Sequence, residues 1–231
     1  MKLKNAVVFI TGANRGLGRA FAEAALAAGA AKVYAAARDI KAIELPGVVP
    51  VALDVTDTQQ VAAAAASCTD VTLLVNNAGI SRPGRLLGDE GMAAARAELE
   101  TNFFGPWALT DAFAPVLRAN GGGAVLNVLS VLSWLTLPGA ATYSASKAAA
   151  WSLSNGLRNE LRDQGTQVTS LHVGFMDTDM TRGLDAPKAA PADIARLALE
   201  GVEAGAFEVL ADDISRHVKQ SLSTPTPAYA G

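Results

Sequence analysis

The sequence predicts a single α/β domain, a mainly parallel, doubly wound sheet of about seven strands with helices on both faces. Three observations carry this expectation. Short β-branched runs alternate with Ala-rich stretches of helical length. Several of those runs are apolar throughout, which marks strands covered on both sides. A glycine-rich turn, Thr11–Gly18, closes the first run and opens the first helical stretch.

Taken in chain order, the apolar Val7–Thr11 is the first strand and Leu17–Ala28 the first helix. Lys32–Ala36 and Val48–Leu53 follow as strands. Only about a dozen residues separate Arg38 from Val51, with Pro46-Gly47 as a turn signal, so a stub of one or two turns is expected there instead of a full crossover helix. Helix Thr58–Ala66 leads to strand Val71–Asn76, and a long helical stretch, Glu90–Ala119, is expected to break near Gly105-Pro106. Strand Ala124–Leu129, helix Thr142–Asp163, strand Gln167–His172, helix Ala192–Ala204, strand Glu208–Leu210 and helix Asp213–Leu222 complete the series. Strands separated by helices imply right-handed crossovers and parallel pairing, which makes the fold Rossmann-like. Residues 1–222 form this domain, and 223–231, rich in Pro, Thr and Ala, read as a loose C-terminal tail.

Composition narrows the functional class. A net charge of -3 with no basic stripe gives no nucleic-acid partner. The lone Cys68 excludes an internal disulfide and fits a reducing compartment. The start, Met1-Lys2-Leu3-Lys4, is superficially like a signal peptide, but the apolar run Ala6–Ile10 is too short. The uncharged stretch Ala119–Ser146 is interrupted by glycines, Asn127 and Pro138, which argues against a membrane span. A soluble, cytoplasmic protein is expected.

In Thr11-Gly12-Ala13-Asn14-Arg15-Gly16-Leu17-Gly18 the spacing is G-x-x-x-G-x-G. Glycines there allow a tight turn and close approach of backbone to a pyrophosphate, which rests on the positive end of the helix dipole. No Gly-Lys-Ser/Thr follows, so this is not a P-loop. The second strand runs into Ala36-Ala37-Arg38-Asp39. A carboxylate near this point binds the ribose 2′-OH of NAD, whereas an arginine accommodates the 2′-phosphate of NADP. Ala37 stands at the expected acid position, and Arg38 and Arg15 can converge on a phosphate. Asp39 is the competing candidate for a ribose acid. The reading is NADP(H).

Tyr143 and Lys147 are four residues apart and share a helix face. A tyrosine of ordinary pKa, about 10, is a poor base near neutrality. A cation ~4 Å away at an effective dielectric of ~20 contributes about 4 kcal/mol, enough to lower that pKa by roughly three before desolvation. Ser130 follows the central strand thirteen residues before Tyr143, and Ser133 is its rival at ten. Asn76-Asn77-Ala78-Gly79 closes the fourth strand and Asn102 lies in a later helix.

With these residues in this order, and with Val173-Gly174-Phe175-Met176-Asp177-Thr178 downstream, the chain resembles the short-chain dehydrogenase/reductase family from Thr11 to about Leu222. The resemblance implies that Tyr143 is general acid in carbonyl reduction and base in the reverse reaction, and that Ser130 holds the carbonyl oxygen. Lys147 would bind the nicotinamide ribose and lower the pKa of Tyr143, while Asn102 would hold a relay water. It further implies that Gly12, Asn14, Arg15, Gly16, Leu17, Gly18 and Arg38 bind the phosphates, that Asp54 and Val55 flank the adenine, and that Asn76, Ala78 and Gly79 lie near the ribose. Met176 and Thr178 would hold the carboxamide, with Gly174 also cofactor-binding in the nicotinamide loop. No metal site is expected. A homodimer or homotetramer packed through the helices at Glu90–Ala119 and Thr142–Asp163 is implied as well.

Val173 departs from the family's usual proline. Trp134, Leu137, Phe175, Met180 and Leu184 are the expected pocket walls, or else ordinary packing, and suggest an uncharged, moderately hydrophobic ketone or aldehyde, or the corresponding alcohol. His172 and His217 are expected to be structural and surface residues respectively. A non-enzymatic NADP(H)-binding regulator on the same fold is the alternative. Its members usually lose the Tyr/Lys pair, which is intact here. Nucleotide-sugar epimerases and dehydratases of the extended branch carry a longer C-terminal substrate domain, for which 231 residues leave no room.

Overall fold

The structure, a computed structural model, describes residues 1–230. Seven strands, β1 (Val7–Thr11), β2 (Lys32–Ala37), β3 (Val49–Ala52), β4 (Leu73–Asn76), β5 (Ala124–Val128), β6 (Gln167–His172) and β7 (Glu208–Leu210), form one sheet in the order β3-β2-β1-β4-β5-β6-β7. Every pairing is parallel. The helices are α1 (Gly16–Ala27), α2 (Thr58–Ser67), α3 (Asp89–Leu99), α4 (Gly105–Ala119), α5 (Ala141–Glu160), α6 (Pro191–Ala204) and α7 (Asp213–Ser221). The doubly wound architecture is thus as the sequence predicts.

Alternation along the strands divides the core into two layers. Val8 and Ile10 face one way, into a layer with Phe21 of α1 and Ile194 and Leu199 of α6. Phe9 faces the other way, against Phe113 of α4 with ring centroids 4.8 Å apart, in a layer with Leu74, Leu117 and Leu157. A third, smaller cluster joins Val131, Leu132 and Trp134 to Val218 of α7, with Tyr143 packed against it. The strand order reverses between β1 and β4, and crossovers diverge there to leave a crevice at the carboxyl ends of the strands.

Local chemistry sets the element ends. Asp57 caps α2 by accepting from the amides of Gln59 and Gln60, and Pro191 opens α6 where no amide hydrogen is needed. Gly205 ends α6 in the left-handed conformation, with φ 74°. The predicted stub after β2 is a single 3₁₀ turn, Ile40–Ala42. β3 is shorter than expected and largely exposed, because it is the sheet edge, where Pro50 is tolerated. β4 starts at Leu73, two residues later than predicted, and α5 ends at Glu160 instead of Asp163.

The expected break near Gly105-Pro106 takes another form. The chain stays helical through a π turn, Glu100–Phe104, and Gly105 then allows α4 to press against Val55, where a Cβ would stand 3.0 Å from Cγ2. Pro106, in the first turn of α4, has no amide hydrogen to return to the π turn, so the helical bonding is interrupted there while the helix runs on. In the tail, Thr224 and Ala228 bond back to Ser221 at the end of α7, and Gly231 lies outside the described residues.

Candidate active site

A cleft of about 370 Å³ opens at the carboxyl ends of the central strands, floored by the glycine loop on one side and by Tyr143 and Lys147 on the other. Of the predicted residues, Gly12, Asn14, Arg15, Leu17, Gly18, Arg38, Asp54, Val55, Ala78, Gly79, Tyr143, Lys147, Met176 and Thr178 line it. Arg15 precedes α1 in an extended conformation and provides no side-chain cap, which leaves the first-turn amides available to an anion. A Cβ on Gly18 would overlap the carbonyl oxygen of Gly12 and stand 2.6 Å from Asn77 Nδ2. Such a bare backbone cradle fits a dinucleotide pyrophosphate.

Asn77, which sequence reasoning passed over, holds this loop. Its Nδ2 donates to the carbonyls of Thr11 at 2.9 Å and Gly12 at 3.3 Å, while the amides of Asn77 and Ala78 both donate to Thr11 Oγ1 at 3.0 Å. Asn76 does not reach the main cleft. It is buried behind it, donating to Asn127 Oδ1 at 2.8 Å and to Thr110 Oγ1 at 3.2 Å. The alternation of a strand places neighbouring asparagines on opposite sides, and sequence alone does not say which side is the cleft.

At the adenosine end, Arg38 makes no hydrogen bond or ion pair among the described residues, and Ala37 lies beside it. Asp39, the competing candidate, accepts from the amide of Lys41 and so caps the 3₁₀ stub. Asp54 is likewise occupied by its own turn, accepting from Thr56 N and Oγ1. The convergence of Arg15 with Arg38 is not seen. Arg15 forms an ion pair with Asp179, which also pairs with Arg182. Gly16 is not a lining residue but lies under Thr178, whose Cγ2 would be 3.4 Å from an added Cβ.

The reaction end is built on α5. Lys147 is buried, and its Nζ donates to the carbonyl of Val128 at 2.8 Å, at the end of β5. Burial lowers its pKa to about 8. Tyr143 is half-buried one turn earlier, with its ring centroid 5.7 Å from Lys147 Nζ. Its pKa is not lowered, as the sequence led us to expect, but pushed up to about 12. Burial dominates; a hydrogen bond with Ser130 pulls it down, and the charge of Glu98 pushes it further up. The ammonium is turned towards Val128, and desolvation of the phenolate sets the direction of the shift.

Ser130 is the serine at Tyr143; the hydroxyl of Ser133 is buried without a hydrogen-bond partner. Asn102 is fixed beside the cleft by its side chain. Its Oδ1 accepts from Ile80 N at 2.9 Å, and its Nδ2 donates to Ile80 O and Ser146 Oγ, each at 2.9 Å. One turn away Glu98, fully buried, accepts from Arg82 N at 2.6 Å, so one helical stretch grips residues 79–82 at two points.

The segment after β6 also differs from expectation. The amide of Gly174 donates to Asp212 Oδ2 at 2.6 Å, and an added Cβ would stand 2.8 Å from Ile214, so Gly174 serves packing against α7 and not the cleft. Val173 is buried in the core in place of the family's proline. Met176 pairs with Ala189, which closes the short loop between them. Of the five expected pocket walls only Met180 lines the cleft; Trp134 is buried against His172. No metal-ligand cluster occurs among the described residues, and no helix there is long and apolar enough to cross a membrane.

Lys147 carries a stability cost with a definite pH dependence. Between about pH 8 and 10.5 the unfolded chain keeps the lysine proton that the native chain has lost, so wild-type stability rises with pH across that window. Lys147→Met should therefore be more stable than wild type at pH 7, by at most about 3 kcal/mol less the cost of an unpaired Val128 carbonyl. Its advantage should shrink as pH rises to 10.5. Thermal unfolding at several pH values checks this, and an advantage that grows with pH would contradict it.

The family model for short chain dehydrogenase matches residues 6–189. Dehydrogenase/reductase SDR family member 7B from Mus musculus is 35% identical over 196 residues, covering 78% of this chain but only 60% of its own length. The 3-oxoacyl-(acyl-carrier-protein) reductase FabG of Vibrio cholerae is 30% identical, with 80% of this chain and 79% of its own covered. A short chain dehydrogenase from Burkholderia cenocepacia solved in complex with NADP is 42% identical, with a TM-score of 0.93 over 97% of this chain and 95% of that one. A relative from Burkholderia phymatum solved with NAD has 25% identity and a TM-score of 0.84, with 98% of each chain covered. Fold, cleft and relatives agree: the chain belongs to the short-chain dehydrogenase/reductase family.

Proposed function

We propose that this protein is an NADPH-dependent carbonyl reductase for uncharged, moderately hydrophobic ketones or aldehydes, able to oxidise the corresponding alcohols in reverse. The observation that carries the reading is the meeting of Ser130, Tyr143 and Lys147 at one end of a cleft whose other end is a bare glycine cradle. When bound there, the nicotinamide supplies the hydride. Tyr143 holds its proton at neutral pH and donates it from its phenolic oxygen to the carbonyl oxygen. The hydroxyl of Ser130 steadies that oxygen as charge develops on it. Lys147, cationic below about pH 8, offsets the charge left on Tyr143. Asn102 and Glu98 hold residues 79–82 beside the cleft.

Support for NADP(H) comes from Arg38 with no acid at Ala37 and from the relative solved with NADP. The exposed side chain of Met180, which lines the cleft, favours an apolar substrate. The exposed aromatic pair of Phe104, at the end of the π turn, and Trp107 on α4, beside Phe103, supports a homodimer or homotetramer through α4 and α5. A single, buried Cys68 suits a reducing cytoplasm. The intact Tyr143, Lys147, Ser130 set disfavours a non-enzymatic regulator.

Tyr143→Phe should lower turnover of aryl and alkyl ketones by at least about 10²-fold, while NADPH still binds, as followed by its fluorescence. Retained turnover, or failure of the wild type to oxidise NADPH with any ketone of the panel, would overturn the reading. Separately, Ala37→Asp combined with Arg38→Ala should shift preference towards NAD(H) by about tenfold or more in kcat/KM. An unchanged ratio would place the 2′-phosphate site elsewhere.

A further inference from the structure

We propose that His172 is a positioning residue for Ser130, and that it brings the C-terminal helix α7 into the catalytic apparatus. The inference rests on the reductase reading above, in which Ser130 steadies the carbonyl oxygen.

Ser130 lies just beyond β5, where its hydroxyl meets Tyr143 and is otherwise only lightly held. Oγ accepts from Leu132 N at 3.1 Å and reaches Val173 O at 3.4 Å. Its backbone carbonyl is held more firmly, by Ser133 N at 3.0 Å and by His172 Nδ1 at 3.2 Å. His172 ends β6 and is fully buried. A carbonyl can only accept, so Nδ1 must carry the hydrogen, and the tautomer of the ring is determined by Ser130.

A cage from three further elements and the Ser130 turn holds the ring. Trp134 stacks on it with centroids 3.9 Å apart and planes 18° from parallel. Trp151 of α5 meets Trp134 edge-on at 6.0 Å. Lys219 of α7 lies over both indoles, 4.8 Å from one and 5.1 Å from the other. Glu208 of β7 accepts from Lys219 at 2.7 Å and from Trp151 Nε1 at 2.9 Å, with an oxygen 3.7 Å from His172 Nε2.

That last distance is too long for a hydrogen bond, and Nε2 has no partner. Three charged groups face the ring: Glu208 favours its charged form, while Lys219 and Lys147 oppose it. Burial is the largest effect and lowers the pKa to about 4, so the ring is neutral at working pH. The one hydrogen bond the imidazole makes is the one to Ser130. Packing alone would be served as well by an apolar ring, without a stranded Nε2. The function of the imidazole is therefore the bond that sets the backbone of Ser130, and through it the direction of Oγ.

Ring-nitrogen NMR of 15N-histidine-labelled wild type tests this directly, because the chain has two histidines and exposed His217 is an internal reference. His172 should appear as the neutral Nδ1–H tautomer across the neutral range, with its proton exchanging slowly. An Nε2–H tautomer would overturn the proposal. This arm needs no substrate, so it still decides if the ketone panel fails and the reductase reading falls.

The second arm compares two variants, each checked for melting temperature and NADPH binding. His172→Phe keeps the stacking and removes the donor; it should lower kcat about tenfold or more, with ketone KM little changed. His172→Asn loses the stacking but restores an N–H near the Nδ1 position, and should keep kcat within about threefold of wild type. A purely structural role predicts the opposite order, and that order would overturn the proposal. If neither variant folds, the NMR result stands as the test.

Discussion

Lys147 places an ammonium group at the end of the central strand, beneath the cleft, where among the described residues only the carbonyl of Val128 meets it at hydrogen-bond distance. Burying a charge with so little compensation is costly, and the depressed pKa of about 8 measures that cost. The arrangement is possible because α5 lies directly on the layer formed by Phe9, Phe113 and Leu157, which holds the helix against the sheet. Gly79 packs close beside the ammonium, where a Cβ would stand 3.2 Å from Asn102 Oδ1, a tight approach, and 3.7 Å from Lys147 Nζ, an ordinary contact.

From that constraint the division of labour in the cleft follows. One end is backbone: a glycine loop tied to β4 by Thr11 and Asn77, with amides exposed for an anion. The other end is side chain: a protonated phenol and a hydroxyl placed over a buried cation. The loop between them, residues 79–82, is gripped by Asn102 and Glu98 from one helical stretch that contains the π turn. A π turn widens the local helix by one residue, and so re-aims Asn102 without ending the helix.

Most of the fold was legible in the sequence because its signals are periodic. Apolar strands, Ala-rich helices and the glycine turn each follow from local preference repeated along the chain. The edge character of β3 was less visible, since apolar Val49 and Val51 look the same in a buried strand as in an exposed one. The π turn left no sequence signal beyond the Gly-Pro pair that follows it.

In the site, residue types were more legible than residue relations. Tyr143 and Lys147 share one face of α5 as their spacing implies, but the sign of the Tyr143 shift is set by burial, which no spacing shows. Arg15 is drawn to Asp179, 164 residues away, a contact no spacing rule contains. Gly174 and Asp212 meet for the same reason, through packing of α7 on the loop after β6. These are long-range choices between partners of similar chemistry, and only the tertiary fold selects among them.

On the proposed mechanism a protonated Tyr143 acts over a buried, cationic Lys147. The most direct test is kcat/KM for ketone reduction against pH, since that quantity reports ionisations of the free enzyme. It should be flat below about pH 8 and fall above it as Lys147 loses its proton, while alcohol oxidation rises into the alkaline range as Tyr143 begins to ionise. A reductive kcat/KM that rises through pH 8 would contradict the account.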